Sequence, residues 1–182
     1  MVLSLIRHKV ALVALLILGF FIILALLAPW VAPHPPDNIA LRERLTPPAG
    51  FGGDARYPLG TDSLGRDILS RVIYGGRTSL TVGFSAMLVS GCLGTLLGLL
   101  SGYYRHLVDH VLSRVMDIQL AFPSIVLAIA AVAFLGPGLQ NVIIVLGIAG
   151  WVTYGRVVRA ETLSLREREF VQAARAIGSG TA

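Results

Sequence analysis

Residues 118–155 read IQLAFPSIVLAIAAVAFLGPGLQNVIIVLGIAGWVTYG, without one Asp, Glu, Lys or Arg. A single helix of this length would extend about 57 Å at the usual rise per residue, whereas the hydrocarbon core of a membrane is roughly 30 Å thick. Gly136-Pro137-Gly138 interrupts the stretch near its middle. We therefore predict two membrane spans, 118–135 and 139–155, joined as a tight hairpin. Pro123, near the start of the first, is expected to kink it.

Two further stretches without these four residue types lie on the N-terminal side of this one, at 10–36 and 78–104. They predict spans at 10–28, with Trp30 as an interfacial anchor, and at 78–104. A signal peptide fits the first less well, because its apolar run is long and Pro29 and Trp30 suit a cleavage site poorly. With 55% hydrophobic and only 14% charged residues, the composition excludes an ordinary soluble domain. The expected fold is an all-α, polytopic membrane helical bundle with four spans here.

The basic residues give the expected orientation. The net charge of +5 is spread over short segments that flank the apolar runs, which is typical of a membrane protein rather than of a nucleic-acid binder. Four spans place both ends on the same side, and the charge around the first span predicts a cytoplasmic N-terminus. Six basic residues then lie outside and nine lie inside, namely Arg7, Lys9, Arg105, Arg114, Arg156, Arg159, Arg166, Arg168 and Arg175.

This topology divides the chain into four parts. Residues 1–32 hold the cytoplasmic tip and first span, 33–77 an extracytoplasmic segment rich in Pro and Gly, 78–155 three spans, and 156–182 a cytoplasmic segment.

The extracytoplasmic segment is expected to be irregular up to about Leu59 and then to form a short amphipathic helix. The pattern predicts a cap at Asp62 or Ser63, an ion pair between Asp67 and Arg71, and an end at Gly75-Gly76. The residues expected on its apolar face are Leu64, Ile68 and Val72. Packing beside the second span and direct substrate contact are both open as its role.

Small residues recur every four positions in the second predicted span. Residues with this spacing line one helix face and allow another backbone to approach closely in lipid. Packing within this chain and contact with another, moving subunit both stay open. The residues are Ala86 and the predicted helix-packing set Ser90, Gly94, Gly98 and Gly102.

The chain offers little catalytic chemistry. No acidic or basic side chain lies within a predicted span, which argues against a proton relay or an ion-coupling site. His106, Asp109 and His110 are too few ligands for a convincing metal site, so we expect a solvated cytoplasmic turn there. The sequence has no Gly-x-x-x-x-Gly-Lys phosphate loop and no catalytic grouping of Ser, His, Cys or carboxylates. We expect no metal, no cofactor, no catalytic residue and no ATP hydrolysis by this chain.

The cytoplasmic segment contains a second amphipathic pattern. Ser164 and Glu167 have the spacing of a capping box, and Gly178 has the position of a helix stop. A helix this short is marginal alone in water, so it should dock on the membrane surface, on the chain's own loops, or in a groove of a cytoplasmic subunit. Its expected apolar face comprises Phe170, Val171, Ala174 and Ile177.

Two sequence blocks resemble a known family. Residues 170–178, FVQAARAIG, resemble the EAA loop of binding-protein-dependent ABC importer permeases, in which Glu-Ala-Ala is followed by a glycine four residues after the second alanine. Residues 59–67, LGTDSLGRD, with Ser70-Arg71 and YGGRTSL at 74–80, are similar to the block before the second span in the C-type permease subunit of dipeptide, oligopeptide and nickel importers. These blocks and the span pattern extend over essentially the whole chain.

The resemblance implies a type I ABC importer transmembrane domain with six spans, of which four would lie here. It implies a heterodimer with a second permease subunit in the bacterial plasma membrane, two ATPase subunits inside and a solute-binding protein outside. ATP-driven closure of the ATPases would move a cytoplasmic coupling helix, swing the spans from inward-facing to outward-facing, and let peptides pass between the two permease subunits. The residues that the resemblance assigns to ATPase coupling are Phe170, Gln172, Ala173, Ala174 and Gly178.

Two departures and two alternatives accompany this interpretation. Gln172 stands where the family usually has glutamate, so a neutral hydrogen bond would replace a salt bridge. The sequence stops at Ala182, before the family's Ile-x-Leu-Pro continuation and last two spans, as expected of a fragment of a longer product or of a truncated permease.

The alternatives are an importer of nickel or another small solute, and a non-transporting membrane fragment whose C-terminal helix is a lipid-surface anchor.

Overall fold

The computed structural model describes residues 9–104 and 106–178. Arg7 and Arg105, which entered the orientation prediction, lie outside these residues, as do positions 179–182 of the last predicted segment. Apart from one isolated antiparallel bridge between Thr61 and Asp67, the regular elements of the described part are helical, which confirms the all-α class. They are α1 (Lys9–Leu26), α2 (Ala28–Val31), 3₁₀ turns at Leu41–Glu43 and Ala49–Phe51, α3 (Ile68–Tyr104), α4 (His106–Ala121), α5 (Ser124–Leu135), α6 (Leu139–Arg166) and α7 (Glu169–Ala176).

Three of the described helices, α1, α3 and α6, are long and apolar enough to cross a membrane. A fourth crossing exists only if α4 and α5 count together, since they are bent by 91° at the break between them, as in a broken span or a re-entrant loop. The predicted span at 118–135 is therefore not a single helix, and the kink expected at Pro123 is present as a break between Ala121 and Ser124. Pro123 has no N–H to continue α4, and its carbonyl instead accepts the first hydrogen bonds of α5, from the N–H groups of Val126 and Leu127 at 2.9 and 3.2 Å.

The Gly-Pro-Gly break between α5 and α6 is confirmed. Gly136 ends α5 with a φ of 81°, and its N–H donates to the Val132 carbonyl at 2.9 Å. The Asn141 side chain closes the turn, since its Nδ2 donates to the carbonyls of Leu135 and Gly136 at 2.9 and 3.1 Å. The two helices then pack on each other as the predicted hairpin.

Two segments expected to lie outside helices are helical. The solvated turn predicted around His106 is instead the first part of α4, and α6 continues eleven residues past its predicted end at Gly155, to Arg166. Contacts between α4 and α6 accompany both differences, because Asp109 and Asp117 of α4 pair with Arg159 and Arg156 in the extended part of α6. Met116 of α4 is also buried with Trp151 and Val152 of α6, and Leu97 of α3 lies against this cluster.

The chain separates into two compact units, 1–81 and 82–182. In the first, Asp67 caps α3: its carboxylate accepts from the backbone N–H groups of Leu69 and Ser70 at 3.3 and 3.1 Å. The predicted cap at Asp62 or Ser63 and the predicted stop at Gly75-Gly76 are therefore wrong. The helix runs through both glycines because apolar sequence follows, and a helix in lipid satisfies its own backbone hydrogen bonds.

The predicted apolar face and ion pair at the start of α3 are also wrong. Leu64 precedes the helix, and Val72 is 56% exposed. The apolar side chain that is buried in this part of α3 is Ile73. Arg71 pairs with Asp62 instead of Asp67, because the Asp67 carboxylate is turned inward to the helix N-terminus and to the Ser70 hydroxyl.

Asp62 organises the turn that precedes α3. Its Oδ1 accepts from the N–H groups of Leu64 and Arg66 at 2.8 and 3.0 Å, and its Oδ2 accepts from Arg66 Nε at 2.8 Å. Desolvation by itself would raise the pKa of Asp62, but these hydrogen bonds and the Arg66 charge outweigh it and hold the pKa well below the usual value. Asp62 is therefore ionised at neutral pH and fixes the loop.

Candidate functional site

Helix α7 carries the predicted coupling residues and presents two different faces. Phe170 and Ile177 are 65% and 85% exposed, and Ala173, which lies between them on the same side, is exposed as well. Val171 and Ala174, on the adjoining side of the helix, are half-buried. The expected single face of Phe170, Val171, Ala174 and Ile177 is therefore divided, and the exposed apolar strip consists of Phe170, Ala173 and Ile177.

The start of α7 differs from the predicted capping box. Ser164 lies inside α6, and the Glu167 N–H donates to the Ser164 carbonyl at 3.2 Å as α6 ends. The first hydrogen bonds of α7 run instead to the Arg168 carbonyl, from the N–H groups of Val171 and Gln172 at 3.0 and 3.1 Å. The prediction failed because α6 is longer than its apolar run, so the capping pattern falls within helix.

Gln172 and Gly178 have distinct local roles. The Gln172 side-chain Nε2 donates to the Glu167 carbonyl at 3.2 Å, a bond that a glutamate carboxylate could not donate. Gly178 has a φ of 90° just after α7, a left-handed conformation that favours glycine at a helix end. Both residues thus define how the chain enters and leaves α7.

The small residues of α3 face α6 of the same chain. A Cβ on Gly94 would lie 2.5 Å from the Trp151 carbonyl oxygen, and one on Gly98 would lie 2.6 Å from that of Gly155. A Cβ on Gly102 would lie 2.6 Å from Thr162 Cβ. Four residues before Gly94, the buried Ser90 donates its hydroxyl to the Gly147 carbonyl at 2.8 Å. Within the described residues, the stripe therefore forms an intrachain contact, which is the first of its two open interpretations.

A polar junction forms where α3, α4 and α6 meet. The Asp109 carboxylate on α4 is held by Arg159 of α6, whose Nε donates to Oδ1 and whose Nη2 donates to Oδ2 at 2.8 Å. Ser101 of α3, which is fully buried, donates its hydroxyl to the same Oδ1 at 2.5 Å, and Ser113 contributes a weaker contact at 3.4 Å. Sequence reasoning missed this junction because it treated 105–117 and 156–166 as loops.

A second pair and a polar bridge connect the same two helices. Arg156 Nη2 donates to Asp117 Oδ1 at 2.6 Å, and both side chains are more than half exposed. Gln119 Nε2 donates to the carbonyls of Ile148 and Ala149, and its Oε1 accepts from Trp151 Nε1 at 2.7 Å. The sequence did contain a signal for these ion pairs. Asp109 and Asp117 lie on one side of the helix 106–121, and Arg156 and Arg159, three residues apart, lie on one side of α6.

A cavity of about 490 Å³ lies among α4, α5 and α6. Its wall is apolar except for Gln119, whose amide is already bonded to α6. Among the described residues, its lining contains no charged side chain.

His106 and His110 do not form part of a metal cluster with Asp109. Among the described residues, no group of three or more His, Cys, Asp or Glu side chains has a geometry that could hold a metal ion. The Asp109 carboxylate is directed to Arg159 and Ser101.

Comparison with known protein families gives two matches. Residues 94–182 match the family described as "Binding-protein-dependent transport system inner membrane component", and residues 1–48 match the "N-terminal TM domain of oligopeptide transport permease C". Both families are those of importer permeases, which the two sequence blocks also resemble.

Individual relatives cover almost all of this chain. It is similar to a di/tripeptide transport system permease protein DppC of Pseudomonas aeruginosa, with 46% identity over 96% of this chain and 58% of the relative. It is similar to a dipeptide transport system permease protein DppC of Alkalihalophilus pseudofirmus, with 45% identity over 94% of this chain and 55% of the relative. It is also similar to a glutathione transport system permease protein GsiD of Pectobacterium atrosepticum, with 39% identity over 95% and 56%. The chain thus spans a little over half the length of these relatives.

Proposed function

We propose, from the premise that this chain belongs to the C-type permease subunits of binding-protein-dependent peptide ABC importers, that it forms half of a peptide translocation path. It is a multi-pass inner-membrane protein. A permease subunit is not itself an enzyme, and ATP hydrolysis belongs in this proposal to partner ATPase subunits. The partners are a second permease subunit, those ATPases and an extracytoplasmic solute-binding protein.

The observation that carries the coupling role is the exposed apolar strip of α7, formed by Phe170, Ala173 and Ile177. A helix of eight residues is marginal in water by itself, so exposed apolar residues on such a helix favour a partner surface. Alanine at 173 keeps the middle of the strip flat, which lets the helix lie deep in a groove of a partner. We assign this groove to an ATPase subunit because the strip lies within the stretch that resembles the EAA loop.

The proposed topology places α7 on the cytoplasmic side, where ATP is available. Its support is the excess of basic residues at the N-terminal end of α1 and around the end of α6. Residues 33–67 then lie outside, in reach of a solute-binding protein.

The peptide class rests on the relatives, which are permease proteins of di/tripeptide, dipeptide and glutathione transport systems. Competition of uptake by dipeptides but not by nickel would distinguish this class from the alternative cargo.

The test uses the full-length permease, coexpressed with its second permease and ATPase subunits and reconstituted in proteoliposomes with the solute-binding protein. Ala173→Trp places a bulky side chain in the centre of the strip and should abolish ATP-dependent dipeptide uptake and pull-down of the ATPase. Ala160→Trp, the same change at an exposed position of α6, is the matched control and should retain both. Equal uptake by the two variants would contradict the coupling role, and unchanged pull-down of the ATPase by Ala173→Trp would favour a lipid anchor.

A further inference from the structure

The Asp109 carboxylate connects three helices at one point. Arg159 of α6 binds both of its oxygens as a fork, and Ser101 of α3 donates to one of them from a fully buried position. A bidentate guanidinium–carboxylate pair fixes orientation as well as distance, because two parallel hydrogen bonds resist rotation of either side chain. A displacement of α6 at Arg159 therefore also displaces α4 and the end of α3.

Arg166 makes a second connection to the same corner. Its Nη1 donates to the carbonyl of Tyr103 and, at 3.4 Å, to that of Gly102. Its guanidinium also lies over the Tyr103 ring, 5.6 Å from the centroid. These carbonyls belong to the last turn of α3, where a positive charge is favoured by the helix dipole.

The two arginines lie seven residues apart on α6, which corresponds to about 10 Å along the helix. Arg159 binds Asp109 near the start of α4, and Arg166 binds the carbonyls of Gly102 and Tyr103 at the end of α3. Helix α7 begins only three residues after Arg166, and Gln172 folds back onto the Glu167 carbonyl in the short linker between them. Because this linker is short and is held by a hydrogen bond, it cannot absorb a large displacement of α7.

We propose that Asp109, Arg159 and Arg166 are positioning residues that make α7 move as one body with the α3–α4 corner, so that ATPase closure reaches the spans. This inference rests on the proposed function. It concerns no contact with substrate or nucleotide, only the transmission of a displacement through the hydrogen bonds of these three side chains.

The Asp117–Arg156 pair provides a matched control on the same two helices. It joins α4 and α6 by one hydrogen bond between side chains that are 56% and 52% exposed, whereas those of Asp109 and Arg159 are 21% and 33% exposed. Exposed pairs of this kind contribute little, while a carboxylate held by several partners at low exposure is costly to disturb. Asp117 also has no described contact with α3.

The experiment measures dipeptide uptake and ATP hydrolysis in the full-length transporter, purified through a tag on the ATPase so that only assembled complexes are counted. Asp109→Asn should lower uptake per ATP hydrolysed roughly two- to thirtyfold, the range expected for loss of coupling. Arg159→Lys should give a smaller loss, because it keeps the charge but not the fork. Asp117→Asn should stay close to the unmodified transporter.

The outcomes separate this inference from the function on which it rests. Uptake per ATP equal in Asp109→Asn and Asp117→Asn would overturn the positioning role. A proportional loss of ATPase activity and uptake, with an unchanged ratio, would also overturn it, since that is the effect of instability alone. Should Asp109→Asn fail to assemble, Arg166→Gln, which leaves the Asp109–Arg159 pair in place, must lower the same ratio. Absence of ATP-dependent uptake in the unmodified transporter would instead refute the proposed function.

Discussion

Replacing Gly98 by alanine should separate α3 from α6. The added Cβ would lie 2.6 Å from the Gly155 carbonyl oxygen and 2.9 Å from Val158 Cβ. Carbon contacts are optimal at roughly 3.5 Å or more, so the helices must move apart by up to about 1 Å, and the carbonyl cannot rotate away as a side chain could. Overpacking of this kind costs about 1–3 kcal/mol.

Gly91→Ala is the control, because a Cβ at this position of the same helix meets nothing within 4 Å. Both substitutions gain up to about 1 kcal/mol of helix propensity, so the difference between them isolates the steric cost. The free energy of unfolding, measured by SDS titration of the protein in mixed micelles, should be about 1–3 kcal/mol lower for Gly98→Ala than for Gly91→Ala. Unfolding of both variants at the same SDS fraction would refute the close packing of α3 on α6.

Two further predictions concern the turns. Asn141→Ala should lower the free energy of unfolding in the same titration by about 0.5–1.5 kcal/mol, because the carbonyls of Leu135 and Gly136 lose their donor; an unchanged value would contradict the role of Asn141 in closing the hairpin. The lowered pKa of Asp62 stabilises its loop above the unfolded pKa of about 3.9, and this stability is lost as the pH falls towards the lower folded pKa. Hydrogen exchange at the Leu64 N–H, corrected for its intrinsic pH dependence, should therefore accelerate below about pH 4. Asp62→Asn should show the same acceleration already at neutral pH. If the protection of this N–H is insensitive to both changes, the Asp62 carboxylate is not its cause.

The sequence predicts the helices best where one signal dominates. The apolar runs locate α1, the greater part of α3 and the α5–α6 hairpin, and Gly136-Pro137-Gly138 marks the turn because glycine and proline both disfavour helix continuation there. Gly75-Gly76 looks similar but does not end α3. The difference is that no proline follows, and the next residues can continue both the helix and its backbone hydrogen bonds.

The polar ends of the helices were harder to predict. Charge was taken to mark the end of a span, yet α6 extends past Arg156 and Arg159 because acids on α4 pair with them. Such pairing depends on which helices are neighbours, and periodicity within one segment carries no information about that. The same limit applies to the small-residue stripe, whose spacing indicates close approach but whose partner, α6, becomes evident only from the packing.

The sequence motif locates the helix of the proposed coupling segment, but it does not predict which face is exposed. The pattern placed Val171 and Ala174 beside Phe170 on the docking face, whereas these two residues are half-buried and Ala173 is exposed. Rotation of a short helix about its axis is set by its linker, here by the Gln172 bond to Glu167 and by the end of α6.

The central claim is that the strip formed by Phe170, Ala173 and Ile177 docks on an ATPase subunit. The most direct measurement places a photo-crosslinking amino acid at position 173 of the full-length permease in the assembled transporter, with position 160 as control, and identifies the products by mass spectrometry. The account predicts an ATPase crosslink from 173 and none from 160. Crosslinks from 173 to lipid alone, in a complex that contains the ATPase, would contradict it.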